Sequence, residues 1–329
     1  MKPDTKYLKI SDNEKHIKKL IQELIIEPRL KALEWAKITK QTPNLRVGYP
    51  GQHIASLVTG VEGERTAARG HDLADGSETK SCSRIDQLDE CSICEEKVAR
   101  IEKYCSKCGS SIIIRKNDSK WLFTIKNTEE LNTLINKVPR IVLLLGDYPK
   151  FEENDFNTLR FSVYEIWPRS KRNHFFPKLM LTYLKQIYNV HKRKNPNKTP
   201  APKNFWPDSY QFYMCNPIKT LEAIVENSTN ETFKITVNHL IKPSEDRENL
   251  KSENLPYTLL KTGEIQYLLS KAPKTVLQEE YNIFRASDLN HLHSEIKKIG
   301  ITEKCKDFLP SRSEVRTSSA KETYKRKNF

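Results

Sequence analysis

The residues best suited to chemistry lie in HDLADGSETKSCSR, residues 71 to 84, where Asp72, Asp75 and Glu78 are followed closely by Lys80. Two carboxylates brought to one face of the chain can hold a hard divalent cation, with water completing the octahedron that Mg2+ prefers. A lysine beside them can orient or help deprotonate an attacking water and offset charge building on a phosphate. That combination hydrolyses phosphodiesters. The same residue types also make ordinary salt-bridged surface hairpins, so the surroundings must decide.

The expected local backbone is a hairpin: GHDL as one strand, ADG as a three-residue loop, and SETKSCS as the next strand. Gly76 falls where such a loop needs a left-handed residue. This register pairs Leu73 with Ser77 and Asp72 with Glu78. Alternation then projects Asp72, Glu78 and Lys80 from one face and Thr79 from the other, while Gly70, opposite Lys80, leaves room for substrate. Six of the ten glycines fall between Gly48 and Gly76, as in a backbone that turns sharply or approaches a ligand. His53 and His71 flank the stretch, but metal and lysine chemistry requires no histidine.

Downstream, Cys91, Cys94, Cys105 and Cys108 form C-x2-C-x10-C-x2-C. Each pair can sit on a tight knuckle with both thiolates facing one ion, and a four-thiolate tetrahedral shell selects Zn2+. A closed shell leaves no open position, so this ion is expected to staple the fold. Cys82, Cys215 and Cys305 read as packing thiols.

The elements that must position these groups come from the rest of the 329 residues, of which 37% are hydrophobic, enough for a proper core. Ser11 and Glu14 make a capping box ahead of an amphipathic helix carrying Ile17, Leu20, Ile21 and Leu24; Pro28 interrupts it, and RLKALEWAKIT forms a second helix. PGQHIASLVTG predicts a helix with Pro50 in its first turn and Gly60 at its end. KWLFTI reads as a strand, NTEELNTLINKV as a helix, RIVLLLGDYP as a buried strand and TLRFSVYEIWP as a half-buried one. GEIQYLLSKA, TVLQEEYNIFRA and SDLNHLHSEIKKI are helical patterns. The fold class is α/β (α+β): a mixed sheet flanked by helices, an inserted zinc-ribbon-like module and a mainly helical C-terminal region.

Five segments follow: an N-terminal helical region, 1–46; a catalytic core, 47–175, with the zinc module at 89–112; a basic connecting segment, 176–202; a C-terminal recognition and dimerisation region, 203–310; and a disordered basic tail, 311–329. Basic residues outnumber acidic ones 56 to 42, a formal charge of +14, which points to nucleic acid as the partner. Arg65, Arg69 and Arg84 lie close enough in sequence to the acids to hold phosphates, and Arg169, Lys171, Arg172, Lys192, Arg193 and Lys194 could track a DNA backbone. The N-terminus lacks the apolar stretch of a signal peptide and no run suits a bilayer, so a cytoplasmic protein without a membrane partner is expected.

The stretch GYPGQHIASLVTGVEGERTAARGHDLADGSETKSCSR, with CSICEEKVARIEKYCSKCGS, DSKWLFTI, LLLGDYP and KTPAPKNFWP, resembles the MamI-type restriction endonucleases over about residues 45 to 210. These belong to the broad nuclease superfamily marked by an acid followed by an E-x-K or D-x-K pair. The resemblance implies that Asp72 and Glu78 are ligands of Mg2+, that Lys80 is the catalytic lysine and that the four cysteines bind Zn2+. The first acid usually lies further upstream than Asp72, which leaves Asp75, Glu62 and Glu64 as rival or accessory ligands. The implied activity is Type II, Mg2+-dependent cleavage of both strands of double-stranded DNA at a specific sequence, with an interrupted palindrome as target and a homodimer as working species. A repair or RNA-processing nuclease of the same superfamily is the alternative enzyme, and a zinc-ribbon DNA-binding protein the non-catalytic one.

Overall fold

The computed structural model describes residues 1–43, 47–65, 71–283 and 289–310. Ile17 and Ile21 bury one face of α1 (Asn13–Ile21), which passes through a widened turn, Gln22–Ile26, into α2 (Glu27–Thr39). Pro28 is tolerated because it stands in the first turn of α2, where a missing N–H costs little. The expected capping box does not form. The helix begins one residue later than expected, with Asp12 as a left-handed N-cap, so Glu14 is no longer three residues from the cap. α3 (Gly48–Thr59) carries Pro50 in its first turn and stops at Gly60, whose φ is +71°.

The strand β1 (Glu78–Ser83) follows, then three short strands around the cysteines, β2 (Asp89–Cys91), β3 (Lys97–Val98) and β4 (Ile113–Ile114). β5 (Trp121–Phe123) precedes α4 (Thr128–Asn132), which Asn127 caps by accepting the Glu130 N–H. β6 (Ile141–Asp147) and β7 (Leu159–Ile166) come next, then α5 (Phe175–Thr182), α6 (Asn189–Lys194), β8 (Lys203–Phe205) and α7 (Tyr210–Met214). β9 (Ile218–Glu226) and β10 (Lys234–Leu240) lead into α8 (Thr262–Lys271), α9 (Lys274–Tyr281), α10 (Leu289–Ile299) and α11 (Glu303–Lys306).

The main sheet has the order β1-β6-β7-β9-β10. β1 runs parallel to β6 and the other neighbours are antiparallel, so the sheet is mixed and helices cover it, as the sequence predicts. Alternation along β6 feeds two cores. Ile141, Leu143 and Leu145 point into a layer with β5, α5, α7 and the C-terminal helices; Val142 and Leu144 point into one with α1 and α3. Each such fully buried side chain contributes about 1.5–3 kcal/mol relative to exposure. β7 is buried almost throughout rather than half-buried, because it lies between β6 and β9 with both faces covered. β9 and β10, drawn from a region expected to be mainly helical, complete the sheet. Among the described residues from Thr262 onward, the named elements are all helices.

Candidate active site

The turn before β1 forms where expected. Leu73 N–H donates to the Ser77 carbonyl at 3.3 Å, Gly76 N–H to the Leu73 carbonyl at 2.9 Å, and Gly76 has φ +84°. The strands on either side of it do not pair as a hairpin. Residues 72–74 pair with residues 62–64 instead: Gly63 bridges Leu73, Glu64 N–H donates to the Asp72 carbonyl and Ala74 N–H to that of Glu62, both at 2.9 Å. β1 gives its ladder to β6, starting with Glu78 N–H on the Arg140 carbonyl at 3.1 Å. The hairpin register is therefore corrected. An apolar strand buried on both faces, β6, offers β1 a continuous parallel partner that the short, polar GHDL cannot match.

What meets β1 on its free edge is the side chain of Asp72. Its Oδ2 accepts the Thr79 N–H at 2.7 Å, an amide that faces away from β6, and its Oδ1 accepts from Gln52 Nε2 on α3 at 2.9 Å. Glu78 and Lys80 project from one face of β1 and are ion-paired to each other, 21% and 29% exposed, while Thr79 is buried on the other face. The carboxylate of Asp72 thus sits on the amide between the acid and the lysine. Glu78 and Lys80 open into a cleft of about 500 Å3, whose walls include His71, Glu129, Glu130 and Thr133.

The rival acids are placed differently. Asp75 is committed to Arg140 Nη2 at 2.7 Å and accepts the Ser77 N–H at 3.0 Å. Arg140 also donates to Ser77 Oγ at 3.1 Å and faces Glu165, a fully buried acid that Arg247 and Trp167 hold as well. Burial pushes the Glu165 carboxyl upward, but the Arg140 and Arg247 guanidiniums outweigh it and hold it below the usual range. This network fixes the turn ahead of β1. Glu62 and Glu64 are exposed on the segment that pairs with 72–74.

The basic residues divide by burial. Arg65, Arg169, Lys171, Lys192, Arg193 and Lys194 are exposed. Arg84 is buried and donates to Asp208 at 2.7 Å and to the Pro207 carbonyl, and Arg172 is held by Glu303 and the carbonyls of Arg247 and Glu248. Both serve as internal ties between distant segments. Arg69 and Gly70, like the tail 311–329, lie outside the described residues.

The four cysteines converge as their spacing predicts. Their sulfurs all lie within 4.8 Å of one another, with three pairs at 3.5 Å. A disulfide needs about 2.05 Å. A tetrahedral shell with metal–sulfur bonds near 2.3 Å places sulfurs about 3.8 Å apart, so this cluster has the dimensions of a four-thiolate metal site. Backbone N–H groups of Cys94 and Ile93 bring the Cys91 thiol down to about 6. Asp89 ties the module together by pairing with Arg100 and Arg115 at 2.9 and 2.8 Å, and the Arg100 guanidinium meets the core over the rings of Tyr148, Phe151 and Phe156.

Several residues near the site carry no signal of their own in the sequence. Gln52, Arg140, Glu129 and Glu130 acquire their positions only when α3, α4 and β6 pack around β1. The one local hint is the clustering of acids at the start of α4, which also suits a helix N-terminus.

A strand bearing an acid–lysine pair, with a second acid on its edge and an adjoining four-cysteine module, defines a candidate phosphodiesterase site of the restriction-nuclease kind. The model of the MamI restriction endonuclease family matches residues 34–258, and the chain belongs to that family. Within it, the Type II restriction enzyme MamI of Microbacterium ammoniaphilum is 44% identical over 55 residues, which covers 17% of this chain and 18% of that relative. No solved structure matches the chain.

Proposed function

We propose that this protein is a Type II restriction endonuclease that cleaves both strands of duplex DNA at a specific sequence, an interrupted palindrome, with Mg2+ as cofactor. The observation that carries the reading is the position of the Asp72 carboxylate on the Thr79 amide, between Glu78 and Lys80. The all-oxygen pair of Asp72 and Glu78 suits a hard cation, and the cleft beside Glu78 leaves room for water and phosphate. Asp75, already neutralised by Arg140, is the weaker candidate for first ligand.

Asp72 and Glu78 would hold the ion, and Lys80 would release Glu78 to orient the attacking water and meet charge growing on the phosphate. When bound, Mg2+ supplies Lewis-acid polarisation of the scissile phosphate. The exposed basic residues contribute sequence-independent affinity for the DNA backbone. One such strand serves one phosphodiester, so a two-fold symmetric homodimer supplies a site for each strand of a palindrome. The cysteine quartet holds Zn2+ as a structural ion. Among the described residues no helix is long and apolar enough to cross a membrane.

The test is to incubate the protein with long duplex DNA and Mg2+ and to sequence the ends. Discrete fragments sharing one terminal sequence are expected. Undigested DNA, or the same digestion by Glu78→Ala, would overturn the assignment.

A further inference from the structure

The carboxylate of Asp72 is gripped by donors from two different elements. The Thr79 amide of β1 binds Oδ2 at 2.7 Å, and Gln52 Nε2 of α3 binds Oδ1 at 2.9 Å. The last torsion of an aspartate is soft, so a carboxylate with one partner can swivel. With one donor on each oxygen, its plane is fixed. Each oxygen keeps a second lone pair, so these bonds orient the group without consuming its capacity to accept.

The reach of Gln52 is itself fixed. Its neighbour Gly51 lies so close to β1 that a β-carbon there would come 2.0 Å from Ser81 Oγ and 2.9 Å from Leu144 Cδ2. This contact holds the first turns of α3 one residue beyond Lys80, on the face of β1 opposite the cleft. Gln52 is exposed, and among the described residues its side chain bonds only the Asp72 carboxylate, so a packing role does not account for its placement.

We propose that Gln52 is a positioning residue that sets the Asp72 carboxylate for the divalent cation shared with Glu78. This inference rests on the reading of Asp72 and Glu78 as metal ligands. It assigns Gln52 no contact with substrate. Removing a partner that orients a ligand typically lowers metal affinity 10- to 100-fold.

The test uses two variants of the whole chain. Gln52→Met keeps the length and bulk of the side chain but has no donor, and Gln52→Ala removes both. Mn2+ binding is titrated by electron paramagnetic resonance on the protein bound to a duplex carrying its cut site, alongside the Mg2+ dependence of cleavage and the melting temperature. Both variants should melt like the wild type, bind Mn2+ about 10-fold more weakly and recover cleavage when Mg2+ is raised. Wild-type Mn2+ affinity in Gln52→Met, or lost cleavage that no Mg2+ concentration restores, would overturn the proposal. Glu78→Ala separates the two claims. If it binds Mn2+ normally, the metal-site reading fails; if it does not bind and Gln52→Met does, only the role of Gln52 fails.

Discussion

Gly51 on α3 and Ser81 on β1 touch, backbone against side chain, with no space between them for even a methyl group. Gly51→Ala should therefore move α3 outward or expel Ser81, at about 1–3 kcal/mol, the usual cost of overpacking. Thermal melting will show the loss. Because the other obstacle, Leu144 Cδ2, is the end of a flexible side chain, Gly51→Ala combined with Ser81→Gly should regain part of it. No recovery would mean that the contact is not what sets the helix position.

Asp72 and Asp75 should fail in different assays. Asp72→Asn still offers an oxygen to the Thr79 amide, so the protein should fold normally while cleavage drops by roughly 100-fold or more, the scale of losing one electrostatic contributor to the transition state. Asp75→Ala removes the shorter of the two ion pairs of the buried Arg140, leaving it only the longer one to Glu165, and should cost about 1–3 kcal/mol in denaturant unfolding. The opposite pattern would exchange the two roles.

One zinc per chain should survive dialysis against metal-free buffer, because its sulfur shell differs in kind from the oxygen site. Elemental analysis decides this, and iron in place of zinc would change the assignment. Cys91→Ser or Cys108→Ser should reduce melting temperature and solubility before it reduces the cleavage rate of whatever remains folded, since binding energy at such a module is folding energy.

Lys306 gives a pH signature. It is buried and donates to the Tyr213 and Glu253 carbonyls at 2.7 Å and to Asn216 Oδ1 at 2.9 Å, yet burial pushes its ammonium down to about 7. In the unfolded chain a lysine titrates near 10.4. Above pH 7 the unfolded state therefore holds the proton more firmly, and this residue's contribution to stability should rise with pH from about 7 towards 10. Urea midpoints between pH 7 and about 8.5 should climb more steeply for wild type than for Lys306→Met. Parallel slopes would show that the lysine stays charged in the fold.

Mixing wild-type and Glu78→Ala chains tests the symmetric dimer. Heterodimers should nick one strand of a cognate duplex, and light scattering should give two chains per duplex. Complete double-strand cleavage by a single chain would rule the arrangement out.

Sequence carried the features set by short-range chemistry. The cysteine knuckles, the turn at Gly76 and the apolar run of β6 depend on spacing within a few residues. The partner of β1 did not, because a local hairpin and a parallel crossover satisfy the same alternation of Glu78, Thr79 and Lys80. β9 and β10 escaped notice because lysines and acids interrupt their apolar positions. Arg84 and Arg172 looked like phosphate contacts by charge alone, but Asp208 and Glu303, which claim them, are more than a hundred residues away. Gln52 had no signal at all, since its partner is defined only once α3 lies against β1.

The layer on the cleft side of the sheet is completed very late in the chain: Ile265, Leu268, Leu277, Tyr281, Leu292, Ile296, Ile301 and Leu309 all belong to the core that holds Cys82 and Leu143. Leu255 pairs with Ile301, and Lys306 ties α11 back to Tyr213, so residues beyond the family match at 258 are part of the same folding unit. During synthesis, β1 leaves the ribosome while that covering layer is still unmade. At about 5–20 residues per second, the wait from residue 83 to residue 309 is roughly 10–45 s. Throughout that interval the acid–lysine strand lacks a finished sheet, so Glu78 and Lys80 are not yet held in the cleft of the folded chain. A truncated product ending near residue 258 should therefore be insoluble rather than a smaller folded unit, which its partition between pellet and supernatant after expression will show.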